Sequence, residues 1–263
     1  MESREHVLPE FLGGKKILPD GAVCKECNNN LNAWLDQPLK IQFQSIIAYF
    51  DVRSSKRDSA ASARVQVATS QGPIAATMLP GGQLTHPEHS RRALVREGDE
   101  VLEEWIVRAD VVEDFIEERS RHMSLVDVTC VPLVLGAASG NLRGKAEILL
   151  RSTVRAGVNL VALKAAALLP LPEFQGARSY VLRSDCAVPK FLASVSALLL
   201  RGQFEIKDCR LEHAVLFSAK NRGSALFELR LFGDIFCRVQ IADEWSGPSI
   251  DLKEQFLGGH QPP

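Results

Sequence analysis

A mixed α+β fold follows from three features of the sequence. Segments with an apolar residue every three to four positions are interspersed with short segments of period two, so helices and strands are both present. No βα repeat is regular enough for a doubly wound parallel sheet. The strand-like segments near the end are separated by tight-turn residues, which favours an antiparallel sheet. With 263 residues, 46% of them hydrophobic, the chain can fill a sizeable core.

Residues 1–50 read as a small N-terminal unit. Val7, Leu8 and Phe11 anchor a short strand, Gly13-Gly14 supports a tight turn, and Ile17-Leu18 returns as its partner. Asn28 to Leu35 reads as a helix, with the Asn run as its N-cap and Leu31, Trp34 and Leu35 as its apolar stripe. Pro38 ends it or opens the next, because Ile41, Phe43, Ile46, Ile47 and Phe50 keep near-helical spacing. Residues 51–63 are rich in Ser, Arg, Lys and Ala, which predicts a linker or exposed loop.

The body is assigned to residues 64–257. Val65 to Thr69 and Ile74 to Met78 are short strands, and Pro80-Gly81-Gly82 is a turn. Glu100 to Arg119 places Val101, Trp105, Val112, Phe115 and Ile116 against a face of carboxylates, as a surface helix would. Val126 to Leu135 reads as a buried strand, Leu142 to Leu169 as one or two largely buried helices, and Pro189 to Leu200 as another helix. Ala214 to Ser218, Leu226 to Phe232 and Ile235 to Ile241 are strands, the last two joined by a turn at Phe232-Gly233-Asp234-Ile235. Residues 258–263 read as a disordered tail.

Composition narrows the chemistry. The net charge is -1, without the basic excess of a strong polyanion binder. From Arg143 to Arg222, however, 13 Lys and Arg stand against 6 Asp and Glu, which makes that stretch a candidate phosphate-facing surface. Of six cysteines only Cys24 and Cys27 are closely paired, so a disulfide framework is not expected; Cys130, Cys186, Cys209 and Cys237 read as small buried side chains. Neither a signal peptide nor an apolar run of roughly 18 residues is present, which predicts a cytoplasmic protein with no membrane partner. His86-Pro-Glu-His89 has ligand-like spacing but lies in a turn-rich stretch with no completing residues, so it reads as surface loop.

The densest constellation is Glu5-His6-Val-Leu-Pro, Leu-Gly13-Gly14, then Val-Cys24-Lys-Glu-Cys27-Asn28-Asn29-Asn30. This order resembles the HNH endonuclease family, whose ββα-metal unit carries an acid-His pair on a strand, a Gly-Gly turn, and Cys-x-x-Cys before an Asn or His at a helix start. More narrowly it is similar to the branch with two Cys-x-x-Cys pairs, the first of which lies upstream of the acid-His pair and is absent here.

The resemblance implies a metal-dependent endonuclease acting on nucleic acid, with DNA as the expected substrate. His6 would be the general base, an imidazole being partly neutral near pH 7. Glu5 and Asn28 would hold a divalent cation, Mg²⁺ or Mn²⁺ suiting an oxygen-rich set; Asn29 and Asn32 are register alternatives for Asn28, and Asp20 matches the family's middle Asn poorly. Adjacent strand residues face opposite ways, so Glu5 and His6 suit two roles better than two ligands of one ion. Cys24 and Cys27 would form half of a structural zinc knuckle, since a tetrahedral shell needs four ligands. The missing half has three readings: a start upstream that includes the other pair, which is favoured; completion by a second chain or distant residue; or decay of the site. The rival function is a non-catalytic nucleic-acid or protein-binding module that keeps an incomplete knuckle as scaffold. Oligomeric state is left open.

Overall fold

The computed structural model describes residues 5–257, apart from 21, 54–59, 70–72, 86–88, 98–99, 108, 122–134, 142–145, 183–192, 196–202, 206–209 and 234. It is a mixed structure of helices and antiparallel sheets, the α+β class expected. The N-terminal ββα layout is not borne out among the described residues. One antiparallel bridge, His6 to Ile17, stands where two strands were expected, and Glu10–Leu12, which includes Phe11, is a single 3₁₀ turn.

Gly13 and Gly14 explain that compaction. Gly13 sits at φ 84°, a region open to glycine at little cost, and a Cβ on Gly14 would lie 1.8 Å from the Leu8 carbonyl oxygen. The chain therefore folds tightly onto itself and reaches the bridge within a few residues.

Helix α1 (Lys25–Leu31) starts earlier than expected, and its N-cap is Cys24, whose sulfur accepts a hydrogen bond from Cys27 N, rather than the Asn run. A π turn follows at Asn32–Asp36, then α2 (Gln37–Gln42), with Pro38 in its first turn, and α3 (Gln44–Tyr49). Leu31, Leu35, Phe43, Ile46, Ile47 and Phe50 are buried along this run, as the periodicity predicts, but Ile41 is corrected: it stands 70% exposed, and Leu39, outside the expected stripe, is buried instead.

Strands β1 (Ala63–Thr69) and β2 (Ile74–Met78) pair antiparallel and belong to a five-stranded sheet with β3 (Leu84–Thr85), β6 (Leu135–Asn141) and β8 (Gln203–Glu205), in the order β3-β2-β1-β6-β8. Between them in sequence, β4 (His89–Glu97) and β5 (Glu100–Val107) form a hairpin followed by α4 (Val112–Ser120). The single helix expected over Glu100 to Arg119 is therefore corrected to a strand plus a shorter helix. Its apolar residues had been read at period 3.6, but Trp105 and Phe115 meet across the junction instead, ring centroids 5.4 Å apart, with the Arg119 guanidinium 4.4 Å from the Trp105 ring centre. The strand expected at Val126 to Leu135 lies outside the described residues except for Leu135, the first residue of β6.

Helix α5 (Ala146–Lys164) fulfils the expectation of a long buried helix and is followed by α6 (Pro172–Leu182). The helix expected at Pro189 to Leu200 is corrected where it can be seen: Ala193–Val195 is strand β7, an edge paired to residues Val239 to Cys237. A second antiparallel sheet has the order β12-β9-β10-β11-β7, with β9 (Glu212–Ala219), β10 (Ala225–Leu231), β11 (Ile235–Ala242) and β12 (Ile250–Leu257). The hairpin turn expected after β10 is present, with Phe232 at φ 51° and Gly233 at φ 85°; β12 and α6 were not foreseen.

The two ends of the chain share one core. The Phe232 ring is buried and stands 5.5 Å from Phe43 and 6.4 Å from Phe50, centroid to centroid, so helices α2 and α3 seat on the β10–β11 turn. Helix α5 lies on the second sheet through Gly157, where a Cβ would come within 2.1 Å of the Phe227 ring. Its other side meets the π turn and α2. No described helix is long and apolar enough to cross a membrane, and residues 258–263 lie outside the described residues.

Candidate functional site

The bridge at His6 is held by main-chain hydrogen bonds on both sides: Val7 N to Lys16 O at 3.0 Å and Leu18 N to Glu5 O at 2.8 Å. Glu5 is buried, 5% exposed, while His6 is only half-buried, so the two side chains occupy different environments.

Glu5 points at α5. Its Oε1 accepts from Arg155 Nε at 3.0 Å, from Arg155 Nη2, and from Asn159 Nδ2 at 3.2 Å. The same guanidinium donates through Nη1 to Asp36 in the π turn, so one buried cation joins two carboxylates from separate elements. Asn159 Nδ2 also donates to the His6 carbonyl at 2.9 Å. Burial pushes the Asp36 carboxyl above the ordinary carboxylate range, Arg155 opposes that shift, and Glu5 adds to it; His6 lies near enough to pull in the favourable direction. Burial disfavours the Arg155 cation, but Asp36 and Glu5 outweigh it and hold the guanidinium above its usual value.

Asn28 lies on α1, partly exposed, its amide donating to the Cys24 carbonyl at 3.0 Å. Cys24 is exposed and Cys27 half-buried, with Cys27 N donating to Cys24 Sγ at 3.3 Å. That backbone hydrogen bond, aided by one from the Cys27 thiol, lowers the Cys24 thiol below the usual range, and the thiol that donates, Cys27, is raised.

The divalent ion implied by the resemblance was tested against these donors. They do not fit it as arranged: the Glu5 carboxylate already shares the Arg155 guanidinium with Asp36, and that cation would stand beside a dication with the same sign of charge. Among the described residues, no group of three or more His, Cys, Asp or Glu side chains could hold a metal ion. The structure thus joins Glu5 and Asp36 through Arg155, sets His6 beside them and, among the described residues, completes no metal-binding group at the Cys24-Cys27 pair.

The basic stretch from Arg143 to Arg222 is corrected in part. Arg151 and Arg155 face inward: Arg151 is 2% exposed, bonded to Glu147 and the Tyr180 carbonyl, with Trp34 and Tyr180 rings against it. Of the lone cysteines, Cys237 is buried as expected and its thiol is pushed up to about 11 by that burial; Cys130, Cys186 and Cys209 lie outside the described residues, as does His86.

Arg155, Asn159 and Asp36 were missed by sequence reasoning. A signal was present: Arg151, Arg155 and Asn159 recur at every fourth position of an otherwise Ala- and Leu-rich run, a polar stripe on a helix predicted to be buried. Buried cations need carboxylate partners, but nothing in the sequence says that those partners lie near the first residues.

Comparison with protein families gives a match to the HNH endonuclease family over residues 2–44, the segment from before the His6 bridge through α2. No curated protein and no solved structure matches the chain.

Proposed function

We propose that residues 1–50 are the hydrolytic module of a nuclease that cuts phosphodiester bonds in DNA, with His6 as general base and residues 64–257 as the body that positions the substrate. The observation that carries this reading is the coincidence of the family match with the one bridge that leaves a histidine half-exposed beside a buried, charge-paired carboxylate cluster. In the reaction, water attacks phosphorus, the His6 imidazole takes the proton that water loses, and the departing oxygen is protonated from solvent. HNH proteins generally work with a divalent metal; Mg²⁺ or Mn²⁺ is our expectation, and a structural zinc at Cys24 and Cys27 belongs to the same proposal, as does a cytoplasmic address. No step is assigned to an ion on Glu5, which is engaged by Arg155.

The test is nicking of supercoiled plasmid by the full chain with Mg²⁺, Mn²⁺, Zn²⁺ or chelator, against His6→Ala. Loss of a positioned base should slow cleavage by about 10²- to 10⁴-fold. Native protein that behaves like His6→Ala with every ion would refute the proposal. One observation favours the rival reading, a non-catalytic nucleic-acid-binding module: Glu5 Oε1 is already engaged by Arg155 and Asn159. Salt-dependent DNA binding that survives in His6→Ala, with no cleavage by native protein, would establish it.

A further inference from the structure

We infer that Arg155, assisted by Asn159, is the positioning residue of the His6 centre, so that α5 in the body holds the base in place. This rests on the reading of His6 as the base.

The contacts divide the work. Arg155 ties the Glu5 side chain to Asp36, locking the bridge residue to the π turn. Asn159, one helical turn further on, ties both the Glu5 carboxylate and the His6 carbonyl to the same helix. The main chain that carries the imidazole is thereby tied to both α5 and the π turn. A π turn widens the helix by one residue, and Asp36 ends this one, so that distortion carries the carboxylate that reaches α5.

Stability alone is a weak reason for such a cluster, because well-packed apolar residues serve as well or better in a buried site. Directional hydrogen bonds supply what apolar packing does not: a fixed orientation for a group whose chemistry tolerates displacements of only a fraction of an ångström. Another buried carboxylate makes the contrast. Glu228 is satisfied by Arg230, two residues away, and by Arg238, its partner across the β10–β11 ladder, which serves one sheet locally. The Glu5–Arg155 contact instead spans 150 residues of sequence.

The experiment uses the full-length chain as Arg155→Gln, Arg155→Lys and Asn159→Ala. Two quantities are read: plasmid cleavage, split into kcat and KM, and the rate at which diethyl pyrocarbonate modifies His6, measured by peptide mass mapping. His213, 4% exposed, is the internal control for global unfolding. Expected for Asn159→Ala and Arg155→Gln is modification of His6 about tenfold faster with His213 still protected, the scale of losing a hydrogen bond to a charged group. The kcat should fall about tenfold or more with KM within about twofold, and Arg155→Lys should recover part of both effects. If Arg155→Gln exposes His213 it has unfolded, and Asn159→Ala, which leaves no uncompensated charge, decides. A folded Asn159→Ala that modifies and cleaves at native rates overturns the inference. If the native protein cuts no DNA, the nuclease reading fails, while the His6 modification rates still decide the positioning role.

Discussion

Acid should loosen the joint between the N-terminal turn and the β10–β11 hairpin, through His213. This residue is buried in the second sheet, its Nδ1 accepting from Phe232 N at 3.2 Å and its ring 4.7 Å from that of Phe232. The Leu12 backbone favours the charged ring to a smaller extent than burial disfavours it, and no described side chain supplies a counter-charge there. Burial lowers its pKa to about 4. The unfolded chain, with an ordinary value near 6.5, therefore binds the proton more readily than the folded one. Stability from this group is fully present above about pH 6.5 and is lost as pH falls toward 4. Taking folded and unfolded values of about 4 and 6.5, the loss is about 2 kcal/mol at pH 5 and about 3 kcal/mol at pH 4. Urea unfolding of native protein and His213→Gln from pH 7 to pH 4.5 isolates it, since the carboxylates titrate in both. The native curve should fall more steeply by that margin. Parallel curves would show that His213 is protonated or solvated in the folded state, and the reasoning would fail.

Three further outcomes follow from particular contacts. Gly157→Ala should cost about 1–3 kcal/mol, read as a lower thermal midpoint, because its Cβ would meet the Phe227 ring at 2.1 Å and force α5 off the sheet; an unchanged midpoint would mean the helix shifts freely. Gly14→Ala should disrupt the His6 bridge, since the 1.8 Å approach is to the rigid Leu8 backbone; Val7 and Leu18 amides, the donors across the bridge, that exchange as slowly as in native protein would contradict this. Iodoacetamide at neutral pH should label Cys24 first, Cys27 more slowly and Cys237 last, following exposure and the direction of each thiol's shift; preferential labelling of Cys27 would invert the assigned donor and acceptor.

Legibility in the sequence followed the range of the forces involved. The α2–α3 stripe, α5 and strands β9 to β11 each bury a face set by local periodicity, and each was readable. Residues 100–119 misled because Val101, Trp105, Val112 and Phe115 fit a helical period, yet β4 lies close enough in sequence for Glu100–Val107 to pair with it. Cys24 displaced the Asn run as N-cap because a thiol accepts the Cys27 amide one turn earlier. At the site, the short motif around His6 was legible, whereas the partner of Glu5 was not, since pairing across 150 residues leaves no local pattern.

That long-range pair also separates two things a buried ion cluster can do. Removing only Arg155 would leave Glu5 and Asp36 buried without a counter-charge, a loss of about 3–5 kcal/mol. Replacing all three together, as Glu5→Leu, Asp36→Leu and Arg155→Met, removes every charge while keeping bulk, and should leave the thermal midpoint equal or higher. If the cluster served stability, this triple variant would be the less stable protein. If it serves orientation, the variant should be at least as stable, with His6 more open to diethyl pyrocarbonate, because apolar side chains can fill the space between bridge, π turn and α5 but supply no directed bond there, leaving Asn159 on the His6 carbonyl unassisted.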